Sequence, residues 1–184
     1  ILKHPYNFVV GKAGSGKTLL AVQVALDQFF KRQFNKIIIT RPTISTEDNG
    51  FLPGSEREKM EPWLVPIRSN MRKVYNKPQI EEKIELVSLA HFRGRTFDNA
   101  VVIVDEYQNL NKSQLAMCIG RLGKDSKMIF CGDSYQIDLR DKQHSAYHDM
   151  AKLMNSEYVF KTVLTDSHRH AAIDNLLELL NGYH

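Results

Sequence analysis

Eight consecutive residues near the start of the chain have the types and spacing of a phosphate-binding loop. Residues 11–18 fit the pattern G-x-x-x-x-G-K-[ST], with an apolar run before them at residues 8–10 and another after them at residues 19–22. A strand that feeds a tight glycine loop and opens a helix directs several amide N–H groups and the helix dipole at one anion. We therefore predict that this stretch binds a nucleoside triphosphate.

Two side chains of this loop carry groups suited to a triphosphate and its metal. The Lys17 ammonium would reach the β- and γ-phosphates, and the Thr18 hydroxyl would hold Mg²⁺. A chance glycine-rich turn is the alternative, but the flanking strand and helix patterns favour a phosphate site. The residues predicted to bind the nucleotide are Gly11, Ala13, Gly14, Ser15, Gly16, Lys17, Thr18 and Leu19.

A second group of reactive side chains follows the apolar run at residues 101–104, where Asp105 and Glu106 come next. A carboxylate at a strand end can take a position on the Mg²⁺ of a phosphate loop, which makes Asp105 a predicted metal ligand with Thr18. Hydrolysis also needs a water in line with the γ-phosphate, and Glu106 is the residue predicted to orient it. A solvated loop that begins with two acidic residues is the alternative.

A third group follows the predicted strand at residues 126–131, where Gly132 and Asp133 precede Gln136. A glutamine amide offers a donor and an acceptor, so Gln136 is predicted to contact the γ-phosphate or the attacking water. This pattern is a weak signal alone. It is a strong one as the third in order after a phosphate loop and an acidic strand end.

The elements that position these groups follow from hydrophobic patterning. Short apolar runs that alternate with amphipathic stretches predict a parallel sheet with helices on both faces, a three-layer α/β/α fold with ligands at the carboxyl ends of its strands. We expect one domain over residues 1–184, with an irregular or helical insertion at about residues 43–83. The predicted strands are residues 7–10, 36–40, 84–88, 101–104, 126–131 and 158–164, and the predicted helices outside the insertion are 17–32, 112–122, 145–154 and 171–180.

The composition of the 184 residues is typical of a soluble globular protein, with 42% hydrophobic and 25% charged residues. No apolar run is long enough to cross a bilayer, and the start lacks a signal-peptide pattern. Cys118 and Cys131 lie in apolar patterns, which predicts reduced core cysteines and a cytoplasmic location. The formal net charge of +4 mildly favours an anionic partner. Because the sequence begins at Ile1, we expect residues to precede it in the natural chain.

Taken in order, these motifs resemble those of the PhoH-like family, whose P-loop core is similar to the first motor domain of superfamily 1 helicases. The resemblance implies a RecA-like core that binds ATP and Mg²⁺ and hydrolyses ATP, in a family described as predicted RNA helicases or ATP-binding proteins and often hexameric. It extends over nearly the whole chain, on residues 11–18, 40–42, 50–54, 93–96, 105–109, 132–139 and 166–170.

The same analogy with helicases implies a nucleic-acid face that includes Arg41, Arg93 and Arg95. Solvated or structural roles are the alternative for the last two. An arginine near a γ-phosphate stabilises the charge of the transition state, which makes Arg169 the predicted catalytic arginine. An ordinary salt bridge at a helix start is the alternative for Arg169.

Two functional hypotheses remain open from the sequence. The first is an ATPase coupled to nucleic acid, either RNA or single-stranded DNA. The second is a nucleotide-dependent switch that assembles with a protein partner and hydrolyses slowly. Because one RecA-like core leaves the outer side of the γ-phosphate open, we also expect a homo-oligomeric ring, with Arg169 acting on its own site or on its neighbour's.

Overall fold

The computed structural model describes residues 2–42, 84–133 and 142–168, together with residues 65, 172, 173 and 176. The predicted insertion at about residues 43–83 lies almost wholly outside these residues, as does most of the predicted helix 171–180. Gln136 and Arg169 also lie outside them, so their predicted roles stay predictions. The expectation of one domain stays a prediction as well.

The described residues contain a six-stranded sheet in which every pair of neighbouring strands is parallel. Apolar runs such as the one in β4 are buried along their whole length, as expected for a parallel sheet covered on both faces. The strand order is β3-β2-β4-β5-β1-β6. The strands are β1 (Tyr6–Gly11), β2 (Lys36–Thr40), β3 (Ile84–Leu86), β4 (Ala100–Val104), β5 (Lys127–Gly132) and β6 (Val159–Leu164).

One face of the sheet is covered by the helix that follows the phosphate loop. Helix α1 (Lys17–Phe30) buries Leu26 against sheet residues that include Ile39 and Ile103. Successive strand residues point to opposite faces, so every second apolar residue of β2 and β4 faces this helix. Each continuous apolar run therefore contributes side chains to the hydrophobic clusters on both faces of the sheet.

The opposite face is covered by shorter helical segments. Helix α2 (Lys112–Ile119) buries Leu115, and the single turn of α3 (Met150–Leu153) buries Met150, in a cluster that includes Phe130 of the sheet. Helices on both faces confirm the α/β/α fold class. The 3-10 helices among the described residues are Leu89–Phe92, Tyr107–Asn109, Lys142–His144 and Ala146–Asp149.

The start of one predicted helix agrees with the structure, whereas another predicted helix is largely replaced by a 3-10 turn. Helix α2 begins after Asn111, whose side chain accepts from the Gln114 N–H at 2.9 Å while the Gln114 side chain accepts from the Asn111 N–H. This reciprocal capping box fixes the start that the sequence placed at residue 112. The predicted helix at 145–154 is instead a 3-10 turn followed by one α-turn, and the Ser145 hydroxyl accepts from the Tyr147 N–H at its start.

The two cysteines lie on opposite sides of the sheet. Cys118 belongs to the cluster under α2 and Cys131 to the cluster under α1, and both are free and buried. Burial raises the pKa of Cys118 to about 12 and raises that of Cys131 as well. This confirms that they are core residues. Among the described residues, no helix has the length and apolar character needed to span a membrane.

Candidate functional site

The phosphate-loop sequence forms the predicted turn between β1 and α1. Gly14 and Gly16 have φ angles of 79° and 80°, a region that favours glycine because it lacks a Cβ. A Cβ on Gly11 would lie 2.5 Å from the carbonyl oxygen of Leu164, so the start of the loop packs directly on the end of β6. The spacing of these glycines is therefore required by the turn and its close packing.

The Lys17 side chain is held by the loop itself. Its ammonium donates to the carbonyl oxygens of Gly11 at 2.7 Å and Lys12 at 2.9 Å, and the residue is only 8% exposed. Hydrogen bonds from a charged donor are short and strong, so they fix the direction of a long side chain. The cation is thus placed against the backbone that binds phosphate in P-loop proteins.

The loop and the acidic end of β4 meet through one hydrogen bond. The Thr18 hydroxyl donates to Asp105 Oδ1 at 2.7 Å, although the two residues are 87 positions apart in sequence. Burial and the neighbouring charge of Glu106 raise the pKa of Asp105 to about 6, against the opposing effects of Thr18 and Arg41. The two predicted Mg²⁺ ligands are therefore adjacent, and the carboxyl group ionises below neutral pH.

These residues fit a nucleotide with Mg²⁺. The buried Ser15 hydroxyl has no hydrogen-bond partner among the described residues, which suits a loop that receives a polar ligand. In the described part of the chain, no cluster of three or more His, Cys, Asp or Glu residues is arranged to hold a metal. Mg²⁺ typically takes one or two protein carboxylates together with substrate phosphates and water, which matches Asp105 and Thr18. We call Lys17, Thr18, Asp105 and Glu106 the nucleotide edge.

Glu106 has a left-handed backbone, with φ 53° and ψ 43°, and its carboxylate is held from two sides. The buried Gln108 amide donates to Oε2, and Arg41 Nη2 lies 3.5 Å from Oε1. Arg41 Nη1 also lies 3.7 Å from Asp105 Oδ2. Arg41, which the sequence analysis placed on a nucleic-acid face, therefore also balances the charge of both acidic residues.

Sequence reasoning missed Gln108. This residue is fully buried, and its amide oxygen accepts from the Asp133 N–H at 3.2 Å at the end of β5. It thereby connects the ends of β4 and β5. A polar residue two positions after the acidic pair, between the apolar residues Tyr107 and Leu110, was the signal that could have identified it.

The segment after β6 lies on the phosphate loop. The His168 N–H donates to the Gly14 carbonyl at 3.1 Å, and a Cβ on Gly16 would lie 3.8 Å from the His168 ring. Arg169 is the next residue in sequence. The predicted catalytic arginine therefore follows directly, in sequence, a residue bonded to the loop.

Two of the predicted nucleic-acid residues lie in the basic loop, which we define as residues 91–96. Arg93 is exposed to solvent. Arg95 instead pairs with Glu85 at 2.9 Å and stacks over the Phe97 ring, with its guanidinium carbon 5.0 Å from the ring centroid. Arg95 is thus engaged within the protein, while Arg93 points a charge outward.

Comparison with known proteins places this arrangement in a family. The model of the PhoH-like protein family matches residues 1–181. A PhoH-like protein of Synechocystis is 42% identical over 151 residues, which are 79% of this chain and 46% of the relative. A PhoH-like protein of Bacillus subtilis is 38% identical over 180 residues, which are 93% of this chain and 56% of the relative.

Two further proteins are similar to this chain. Protein PhoH of Escherichia coli is 38% identical over 141 residues, which are 72% of this chain and 40% of the relative, so the chain spans about half the length of these relatives. The solved structure of the Pif1 helicase from Candida albicans aligns with 96% of this chain and 40% of that chain, at 15% identity and a TM-score of 0.48. The parallel sheet of this chain has helices on both faces and carries the phosphate loop between β1 and α1. On the family match, together with this loop and the acidic strand end, the chain belongs to the PhoH-like protein family.

Proposed function

We propose that this chain is a Mg²⁺-dependent ATPase whose hydrolysis is coupled to nucleic acid, either RNA or single-stranded DNA. The observation that carries the proposal is the Thr18–Asp105 hydrogen bond of 2.7 Å, which joins the phosphate loop to the acidic strand end. It brings a phosphate-binding lysine, a pair of metal ligands and a second carboxylate to one edge of the sheet. That combination serves hydrolysis of a triphosphate.

Each residue of the nucleotide edge has a distinct role in the proposal. Lys17 binds the β- and γ-phosphates, while Thr18 and Asp105 hold Mg²⁺, which neutralises charge on the phosphates when bound. Glu106 orients the attacking water and accepts its proton. Gln136 would report the γ-phosphate, in keeping with its prediction from sequence.

Arg41 supports the coupling to nucleic acid. Its guanidinium is 3.7 Å from the carboxylate of Asp105 and 3.5 Å from that of Glu106. Mg²⁺ held by Thr18 and Asp105 would compete with Arg41 for the Asp105 carboxylate. The contacts of Arg41, and with them the way its charge faces a phosphate backbone, would then depend on whether Mg²⁺ and ATP are bound. Arg93 and Arg95 are the other proposed contacts.

The second candidate function is the slow nucleotide-dependent switch. The observation that favours it is that Glu106, the proposed base, is already engaged by Gln108 and Arg41. An enzyme whose base is held in this way hydrolyses ATP slowly until a partner changes the contacts of that base. The partner in this case is a protein rather than a nucleic acid.

The proposed working unit is a ring of identical subunits in which a neighbour completes each site. Arg169 is the proposed cation, because a supplied arginine raises phosphoryl-transfer rates by about 10³-fold or more. Mixing inactive Lys17→Ala subunits with inactive Arg169→Ala subunits tests this. Recovered activity supports action across the interface, and a fully active monomer at micromolar concentration excludes the ring.

Steady-state phosphate release separates the two functions. Wild type and Glu106→Gln are compared with Mg²⁺ and ATP, alone and with RNA or single-stranded DNA. Hydrolysis that nucleic acid stimulates and that Glu106→Gln abolishes supports the ATPase. Slow hydrolysis that neither nucleic acid changes supports the switch.

A further inference from the structure

Glu106 has a backbone conformation that needs support. Its φ of 53° lies in the left-handed region, which is unfavourable for a residue that carries a Cβ. Such conformations persist when surrounding contacts determine them. The contacts that hold Glu106 are therefore part of what sets the direction of its carboxylate.

The buried Gln108 supplies such a contact, and its side chain is anchored at both ends. Its amide nitrogen donates to Glu106 Oε2, and its amide oxygen accepts from the Asp133 N–H at 3.2 Å. Its main-chain carbonyl accepts from the buried Ser145 hydroxyl. Gln108 therefore cannot rotate without losing hydrogen bonds in a buried place, which is costly.

The end of β5 leaves room for this amide. A Cβ on Gly132 would lie 2.6 Å from Gln108 Oε1 and 2.5 Å from Tyr107 Cδ1. Both distances are far shorter than a van der Waals contact. The glycine thus allows Gln108 to connect the strand end of Glu106 with the strand end of Asp133.

The two oxygens of Glu106 have different surroundings. Oε2 accepts from Gln108, whereas Oε1 is the atom 3.5 Å from Arg41, whose side chain is 29% exposed. One oxygen is therefore fixed from inside the protein. The other is on the side of a longer-range contact between two partly exposed side chains, since the Glu106 side chain is 22% exposed.

We propose that Gln108 is a positioning residue for the hydrolytic reaction. By donating to Oε2, it fixes the Glu106 carboxylate so that Oε1 is the oxygen that meets the attacking water. This inference rests on the proposed role of Glu106 as the residue that orients water. Gln108 acts through Glu106 and makes no contact with the nucleotide.

The test compares Gln108→Leu with Gln114→Leu, a matched control. Gln114 lies in the capping box of α2 and has no role at the nucleotide edge. Gln108→Leu should lower kcat by about 10- to 100-fold, because small displacements of a reacting group have effects of that order. Affinity for a fluorescent ATP analogue should stay within about twofold, since Lys17 and Thr18 are untouched. Gln114→Leu should change neither quantity.

A double-mutant cycle distinguishes positioning from general damage. In single-turnover assays, adding Gln108→Leu to Glu106→Gln should lower the rate no further than Glu106→Gln alone, because Gln108 acts only through that carboxylate. If Gln108→Leu does not fold, Gln108→Met takes its place. That variant keeps an unbranched side chain of similar length but loses the donor to Glu106.

The outcomes separate this inference from the proposed function. If Glu106→Gln is inactive while Gln108→Leu and Gln108→Met are fully active, the positioning role is wrong and the ATPase proposal stands. A Gln108 variant that loses nucleotide affinity as much as turnover, or that lowers the rate further in the Glu106→Gln background, also overturns it. If wild type and Glu106→Gln hydrolyse ATP equally, the role of Glu106 fails and the inference fails with it.

Discussion

The nucleotide edge and the basic loop hold their cations in different ways. At the nucleotide edge, Lys17 is nearly buried and donates to two carbonyl oxygens of its own loop. In the basic loop, Arg93 is exposed, and Arg95 is shared between the exposed Glu85 and the ring of the buried Phe97. Arg41 is intermediate, because it is partly exposed and contacts two carboxylates.

This difference indicates how specific each region is for one kind of ligand. A buried cation that is fixed by short bonds to its own loop is organised in advance for an anion of fixed shape. Cations on an exposed loop suit a flexible polyanion, whose attraction depends on salt rather than on geometry. Removing each kind of cation should therefore have effects of different size and different salt dependence.

The largest effects are expected at the nucleotide edge. Glu106→Gln should keep ATP affinity and lower kcat by about 10²- to 10⁴-fold, because it removes a general base without removing a phosphate contact. Lys17→Ala should weaken ATP binding as well. Titration with a fluorescent ATP analogue, together with phosphate release, measures both quantities. Equal turnover by wild type and Glu106→Gln would remove the assignment of the base.

The next effect concerns the stability of the nucleotide-free protein. The pKa of Asp105 is raised from 3.8 to about 6 in the folded protein. The folded state therefore binds this proton more tightly than the unfolded state does. The contribution of this proton to the free energy of unfolding is fully present below pH 3.8 and is lost as the pH rises through about 6. Asp105→Asn avoids that loss and keeps an acceptor for Thr18. It should raise the free energy of unfolding at pH 8 by about 1–3 kcal/mol relative to wild type.

Urea unfolding at pH 5 and pH 8, without Mg²⁺ or nucleotide, measures this difference. The advantage of Asp105→Asn should be larger at pH 8 than at pH 5, since the wild-type carboxyl is ionised at the higher pH. An advantage that does not change with pH would show that the buried charge is not its cause.

A smaller effect separates Arg41 from Arg93 in nucleic-acid binding. Arg93→Ala should weaken RNA binding equally with and without Mg²⁺ and ATP analogue, and lower the salt slope by about 0.7 for each single-strand phosphate that the protein no longer neutralises. Arg41→Ala should remove the dependence of RNA affinity on the nucleotide. Fluorescence anisotropy at several salt concentrations measures both. RNA affinity that is the same in every nucleotide state of the wild type would contradict the proposed coupling.

The smallest effect is expected for the structural contacts of Arg95. Its pair with Glu85 is solvent exposed, and such pairs contribute about 0.2–1 kcal/mol. Arg95→Ala should lower the free energy of unfolding by that order, and Arg93→Ala should leave it unchanged. Denaturant unfolding of the two variants in parallel measures the difference. An equal loss of stability in both would contradict the distinction drawn between them.

Sequence patterns predicted the parts of the molecule that are formed by residues close together in the sequence or by the ends of predicted strands. The glycine loop is contiguous, and the meeting of Thr18 with Asp105 follows because carboxyl ends of parallel strands share one edge. The ion pairs of Arg41 could not be predicted in this way, since they require β2 to lie beside β4, with Thr40 opposite Val104. The bridge through Gln108 likewise requires β5 to lie beside β4.

The same reason explains the difference at residues 145–154. Their apolar spacing predicts a helix, but hydrogen bonds from elsewhere in the chain fix their start. The Ala146 N–H donates to the Leu110 carbonyl at 2.7 Å, and the Ser145 hydroxyl donates to the Gln108 carbonyl. Such tertiary bonds override a local helical preference, and no periodicity reveals them.

The bond between the His168 N–H and the Gly14 carbonyl makes one backbone amide a reporter of the phosphate loop. Amide hydrogens exchange with solvent when their hydrogen bonds open, and the rate measures the free energy of that local opening. The partner of this amide is far away in sequence and belongs to the turn that binds phosphate. A ligand that stiffens the phosphate loop should therefore slow deuterium uptake at the His168 amide. Exchange in the segment after β6 would thus report on binding at the loop after β1.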